Sequence, residues 1–185
     1  MLDKLINRIK NDPETWRKFS DKFIEQEIPS RTILLKEGEV SNHLYFIKSG
    51  CLRLWFNKDG KDITLQFFFE GQVVASIDSF LSHQPSMFTL ESIESSSLIS
   101  VSRDSFEQLF QIYPDLQMGF QQIIFQRFRN YATLFLSRIK DSPQERYADL
   151  LLNHPEIVKR VPQHYIASYL GITPISLSRI RNRKS

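Results

Sequence analysis

The sequence predicts an α+β protein in which a block of short strands lies between helical stretches and a pair of helices closes the chain. Three observations predict it. Glycines recur at 38, 50, 60 and 71 with β-rich runs between them, residues 115–140 hold apolar groups at helical spacing, and residues 163–182 have the pattern of a helix-turn-helix. A chain of 185 residues, 41% hydrophobic, 12% aromatic and 24% charged, is ordinary for a globular protein and long enough for one large domain or two modest ones. Disorder, collagen-like repeats and a coiled-coil rod are excluded.

The opening is helical. Leu2, Leu5, Ile6 and Ile9 recur at helical spacing, and Asp12-Pro13 reads as an N-cap followed by proline at the first helical position. Trp16, Phe19 and Phe23 line the expected apolar face of that second helix. From about Ile28 to Ser102 the period changes to that of strands. The runs are Thr32–Leu35, Leu44–Ile47, Leu52–Phe56, Ile63–Phe67, Met87–Ile93 and Ser97–Val101, with Asn57-Lys58-Asp59-Gly60 as a turn signal between two of them. Short strands at this spacing argue for a sandwich or barrel.

After Ser102 the helical period returns. Residues 103–113 form one expected helix, with Phe106, Leu109 and Phe110 on a face and a stop near Pro114. A longer helix is expected over 115–140, about 39 Å at 1.5 Å per residue. Along it Phe120, Ile124, Phe128, Tyr131 and Phe135 follow the 4-4-3-4 spacing of a coiled-coil seam, and Ile123, Phe125, Leu134 and Leu136 add a second apolar face. Such a helix either covers its own domain or also packs on a second subunit, and two apolar faces favour the second reading. Ser142-Pro143 marks the next boundary, followed by a helix over 144–152. The expected division is 1–114, a strand-rich domain; 115–140, the long helix; and 141–185, a small helical domain.

The segment 163–182 fills the constrained positions of a helix-turn-helix. Ala167 is small where two helices touch, and Gly171 tolerates the positive φ of the turn. Ile166, Leu170, Ile172, Leu177 and Ile180 supply packing, Thr173 can cap the second helix, and Pro174 suits its first position. The second helix is the one expected in a major groove. Arg179 is the expected base reader, since a guanidinium makes two hydrogen bonds to a guanine edge. Ile175 suits a thymine methyl, Ser176 and Ser178 suit phosphate or base, and Gln163, Thr173, Pro174 and Asn182 complete the expected contact surface. Arg181, Arg183 and Lys184 are expected on phosphates. The charge agrees: residues 1–140 balance to zero, so the net +3 lies wholly in 141–185. The alternative is an ordinary α-hairpin with a basic, solvated end.

At this point the chain resembles the Crp/Fnr transcription regulators over nearly its whole length. The matching stretches are Leu35–Glu39, Leu44–Gly50, Asp59–Lys61, Glu70–Gln72 and Ser102–Pro114, in order before the helix-turn-helix. The resemblance implies a double-stranded β-helix, the β-roll or jelly-roll of cyclic-nucleotide-binding domains, as a sensor. It also implies dimerisation through 115–140 and a helix-turn-helix over 141–185 as a bacterial, cytoplasmic regulator. The implied partners are double-stranded DNA, a second copy of the chain, RNA polymerase and an unnamed small-molecule effector, with no membrane. The implied effector pocket involves Arg53, Gly71, Val74, Ala75, Ser76, Ser86 and Met87.

Two departures qualify it. The cyclic-nucleotide binders of the family carry a Gly-Glu pair and a later arginine, which take the ribose hydroxyl and the phosphate. Here the corresponding residues are Ala75-Ser76 and Ser86-Met87. A cyclic phosphate buried there would lack a countercharge, so cyclic AMP is not the expected effector and no cofactor is expected. Second, the sequence ends at Ser185, where the family usually continues into a β-hairpin wing.

Other chemistry is not expected. The lone Cys51 cannot hold an iron–sulfur cluster, and His43, His83 and His154 show no spacing suited to haem ligation. No P-loop, dinucleotide fingerprint, zinc motif or Gly-x-Ser-x-Gly elbow is present, so the sequence predicts no enzyme. The runner-up function is an effector-binding or interaction module whose C-terminal helices contact protein.

Overall fold

The computed structural model describes residues 8–182. The expectations at Leu2, Leu5, Ile6, Arg183 and Lys184 lie outside the described residues. Among the described residues, 8–54 together with Phe68–Ile124 pack as one compact unit, and Trp55–Phe67 together with 125–182 pack as a second.

In the first unit, helix α1 (Pro13–Phe19) starts as its sequence requires: the Asp12 carboxylate accepts from the Thr15 amide at 3.2 Å and from the Thr15 hydroxyl at 2.7 Å, and Pro13 takes the first position. The helix is shorter than expected. Its exit is a 3-10 turn at Ser20–Lys22, after which the chain enters strand β1 (Ile24–Ile28). Phe19 is buried, whereas Trp16, expected on the apolar face, is 37% exposed.

Eight strands make the β-roll. The remaining seven are β2 (Ile33–Leu35), β3 (His43–Ser49), β4 (Leu52–Lys58), β5 (Lys61–Phe68), β6 (Val73–Val74), β7 (Thr89–Ser92) and β8 (Ser96–Ser102). They form two four-stranded sheets ordered β1-β8-β3-β6 and β2-β7-β4-β5. Strand β8, buried at every residue except the half-buried Ser102, is the spine of the first sheet: it pairs antiparallel with β1 (Ile24 opposite Ser100) and with β3 (Tyr45 opposite Ser100). The turn from β3 to β4 passes so close to β8 that a Cβ on Gly50, at φ +104°, would collide with Ser96.

Helices α2 (Ile77–Ser82), α3 (Arg103–Ile112) and the first part of α4 (Pro114–Lys140) complete this unit. Ser102 caps α3 by accepting from the Ser105 amide at 3.3 Å. Phe80 from α2, Phe106 and Phe110 from α3 and Phe120 from α4 form an aromatic cluster, with Phe106 and Phe120 ring centroids 5.3 Å apart in an edge-to-face arrangement. Leu44, Phe46, Val73, Val101 and Leu109 close the core around it.

The second unit contains the outer part of the β4–β5 hairpin, the rest of α4, and helices α5 (Pro143–Asn153), α6 (Pro155–Arg160), α7 (Gln163–Leu170) and α8 (Pro174–Asn182). The turn signal at Asn57–Gly60 is realised, with the Asn57 side chain accepting from the Gly60 amide at 3.0 Å. Ser142 and Glu145 form a capping box at the start of α5. Tyr147, Leu150, Ile157, Val161, Ile166, Ala167, Leu170, Leu177 and Ile180 are buried and form the apolar interior of these helices.

Four elements were not legible. Strand β1 reads Ile-Glu-Gln-Glu-Ile and is largely exposed at the sheet edge, so it lacks the apolar alternation that marks a strand. Strand β6 is two residues long, and α2 and α6 are six residues each, too short to establish a period.

Candidate nucleic-acid interface

The helix-turn-helix is built from its sequence in three steps. Ile166, Ala167 and Leu170 bury one face of α7, and Leu177 and Ile180 bury one face of α8. Gly171 then ends α7 in the left-handed region at φ +69°. Its amide donates to Ser168 O at 3.0 Å, and the Ile172 amide donates to Ala167 O at 2.9 Å, the paired bonds of a Schellman motif. Finally, the Thr173 hydroxyl accepts from the Ser176 amide at 3.1 Å and Pro174 opens α8, so the second helix begins three residues after the turn at Gly171.

This packing leaves the opposite face of α8 to solvent. Ile175 is 66% exposed, and Pro174, Ser178, Arg179, Arg181 and Asn182 are also exposed. Neither Arg179 nor Arg181 makes a hydrogen bond or ion pair among the described residues, so both guanidiniums are available to a polyanion. Gln163 lies exposed at the first position of α7.

Two of the expected contact residues have another task. The hydroxyls of Thr173 and Ser176 lie 2.9 Å apart and Thr173 also caps the helix, so both are engaged at the N-terminus of α8 rather than held outward for bases. The reason is local: the first amides of a helix have no intrahelical acceptor, and a hydroxyl at the cap supplies one.

The residues of the expected seam on α4 do not share one exposed face. Phe120 is only 2% exposed and sits in the aromatic core, and Ile124 packs half-buried against that core. Tyr131 is half-buried and hydrogen-bonded to Arg127; burial raises its hydroxyl above the ordinary tyrosine value. Phe128 and Phe135 are the members that face solvent, at 71% and 65% exposure, and they are joined by Phe125 at 72% and Ile139 at 68%. With Ala132 these residues fall at 125, 128, 132, 135 and 139, the alternating 3-4 spacing of a coiled-coil seam. A spacing rule alone cannot tell an inward stripe from an outward one on a helix that has both.

The expected effector residues are only partly brought together. Val74, Ala75, Ser76 and Ser86 are all buried, and the Ser76 and Ser86 hydroxyls are 2.8 Å apart. Ser86 Oγ also lies 2.7 Å from Phe88 O and accepts from the Phe88 amide at 3.0 Å. Arg53 is buried, with Nε 2.9 Å and Nη2 2.7 Å from the buried Glu91 carboxylate, so its charge is already neutralised within the protein. Glu91 was not singled out from the sequence, because nothing local distinguishes it from a surface glutamate. Gly71 sits at an exposed turn, and Met87 is 60% exposed. Among the described residues no group of three His, Cys, Asp or Glu side chains is placed to hold a metal ion, and Cys51 is buried. No helix among them is long and apolar enough to cross a membrane.

Residues 25–113 match the family model of the cyclic nucleotide-binding domain. The chain is 29% identical over 123 residues to neuropathy target esterase sws of Drosophila ananassae, a match that covers 58% of this chain and 8% of that protein. It is 24% identical to the anaerobic regulatory protein of Pasteurella multocida, over 88% of this chain and 64% of that one. The chain thus spans less than two thirds of either relative. Among solved structures, a Eubacterium rectale chain assigned to the Crp/Fnr family of transcriptional regulators superposes with a TM-score of 0.75 at 20% identity, over 95% of this chain and 85% of that chain. A cyclic nucleotide-binding domain joined by a long helix to a helix-turn-helix gives this chain the Crp/Fnr fold.

Proposed function

We propose that the protein is a sequence-specific, homodimeric DNA-binding transcription regulator of the cytoplasm whose β-roll responds to a small effector other than a cyclic nucleotide. The observation that carries the reading is the free face of α8. A helix held by a capped turn presents Ile175, Ser178, Arg179, Arg181 and Asn182 to solvent, and its two arginines have no partner among the described residues. In a major groove Arg179 reads a guanine edge, Ile175 meets a thymine methyl, and Arg181 holds a phosphate. The likeness to the anaerobic regulatory protein, which covers 88% of this chain, supports the same reading.

Dimerisation proceeds through the seam of Phe125, Phe128, Ala132, Phe135 and Ile139. Four large apolar side chains in a row on one helix face are costly in water and are covered when two copies pair. Pairing sets two recognition helices at a fixed separation, so the operator is a two-fold palindrome. The effector assignment rests on Ser76 and Ser86, which offer hydroxyls but no charge to a buried phosphate. RNA polymerase is the partner through which such a regulator acts on transcription.

Salt dependence tests the proposal. Binding of purified protein to a duplex, followed by fluorescence anisotropy from low to high salt, is expected to weaken with a log–log slope of about −4 or steeper, as four or more phosphate contacts require. A flat dependence, together with capture of a protein partner, supports the interaction-module reading instead.

A further inference from the structure

The last turn of α7 is held from three directions, and every one of its terminal carbonyls has a donor. A helix leaves its last four carbonyls without intrahelical partners. Here Ala167 O and Ser168 O take the amides of Ile172 and Gly171. Tyr169 O accepts from Arg138 Nη2 of α4 at 2.8 Å, and Leu170 O accepts from Arg146 Nε of α5 at 3.1 Å. Two guanidiniums therefore sit at the negative end of the helix dipole, where cations are favoured. Arg138 also packs on the turn itself, 3.5 Å from where a Cβ on Gly171 would lie.

The third direction is the β4–β5 hairpin. The Ser168 hydroxyl donates to Asp62 O at 2.6 Å and accepts from the Thr64 amide at 2.9 Å, so one side chain of α7 satisfies both backbone groups of the hairpin edge. The Phe67 and Tyr169 rings, 5.4 Å apart, seal the contact beside it. Three residues after Ser168 the chain turns at Gly171, and three residues after the turn α8 begins at Pro174. Whatever fixes residues 168–170 fixes the entry of the recognition helix.

We propose that Ser168, Arg138 and Arg146 are positioning residues for DNA reading, and that Ser168 is a clasp through which the β4–β5 hairpin sets the placement of α8. The proposal rests on the DNA-binding reading above. Because β4 and β5 are themselves strands of the roll, a ligand that shifts the hairpin acts on the same hydroxyl. None of the three residues touches a base. Their loss therefore alters where the two recognition helices sit and leaves unchanged what each one reads.

The test compares wild type, Ser168→Ala and Arg138→Gln as full chains, by hydrogen exchange and by binding to duplexes whose half-sites are kept constant while their spacing is varied. In Ser168→Ala the Thr64 amide is expected to exchange about tenfold faster, as loss of one hydrogen bond implies. Both variants should keep the wild-type half-site sequence but accept a wider range of spacings. A uniform loss of affinity at every spacing, or an unchanged spacing profile, overturns the positioning role. If wild type selects no duplex at all, the DNA reading fails, and the clasp is judged by exchange alone: faster exchange spreading from Thr64 to Gly171 and Ile172 in Ser168→Ala supports it, and exchange confined to Thr64 overturns it.

Discussion

The hydroxyl oxygens of Ser76 and Ser86, both buried, lie 2.8 Å apart within the connection between β6 and β7. The resemblance to the Crp/Fnr regulators implies an acid and an arginine at these positions in members that bind cyclic nucleotides. Here two neutral side chains satisfy each other instead. Titration calorimetry with cyclic AMP or cyclic GMP is expected to give no saturable isotherm, and a stoichiometric, saturable one contradicts the assignment. Ser86→Ala, which leaves the Ser76 hydroxyl and the Phe88 amide without this partner, should cost about 1–3 kcal/mol in urea unfolding.

Arg53 and Glu91 make the second prediction. Both side chains are buried and their charges meet at 2.7 Å. Arg53→Met alone strands a buried carboxylate and should destabilise the protein by about 3–5 kcal/mol, whereas Arg53→Met with Glu91→Leu should recover most of that loss. Equal destabilisation by the single and double variants shows that the pair is not what holds Glu91 in place.

Phe120 and Phe128 of α4 respond to substitution differently. Phe120 is inside the aromatic core, so Phe120→Ala should lower stability by about 3–5 kcal/mol. Phe128 is 71% exposed, so Phe128→Glu should leave the unfolding of isolated chains nearly unchanged while shifting the molecular mass in solution from dimer to monomer. Light scattering that shows a dimer for Phe128→Glu contradicts the solvent-facing seam.

These contrasts show what the sequence made legible. The glycine-spaced strands, the long helix and the helix-turn-helix each carry a local signal, in turn residues, periodicity or capping, and each is present where it was expected. The inward or outward sense of an apolar stripe is not local. Phe120 and Phe128 have the same chemistry and lie eight positions apart on one helix, and only the packing of α2 and α3 against the first decides which is buried. Glu91 and Ser168 were missed for the same reason. Their partners, Arg53 and the Asp62–Thr64 edge, lie 38 and about a hundred residues away, and no spacing rule reaches that far.

The capping box at α5 predicts a pH effect. Glu145 accepts from the backbone amide of Ser142, which holds its carboxyl below the usual glutamate value. A carboxyl whose folded pKa is depressed stabilises the fold above its unfolded pKa, and the contribution disappears as pH falls through the folded value. Glu145→Gln keeps a cap acceptor but removes the titration. Its stability should therefore decline less steeply than that of wild type on the acid side, as read by thermal melting across pH 2–6 (roughly the carboxylate range). An identical acid limb contradicts the assignment.

Arg179 and Arg181 are expected to separate base reading from phosphate holding. Arg179→Ala should relax preference at one base pair per half-site, at about 1–3 kcal/mol. Arg181→Ala should weaken binding to all sequences alike and reduce the magnitude of the salt slope by about 1 per subunit. An unchanged base preference in Arg179→Ala removes that residue from the reading face.

The central claim, that a free-faced α8 reads DNA as one half of a dimer, is tested most directly by selecting bound duplexes from a random pool with the purified protein, with and without cyclic AMP. Enrichment of a two-fold palindrome is expected whether or not the nucleotide is present. Enrichment that depends on cyclic AMP contradicts the neutral Ser76–Ser86 site, and enrichment of no duplex across a range of salt concentrations contradicts the DNA-binding function itself.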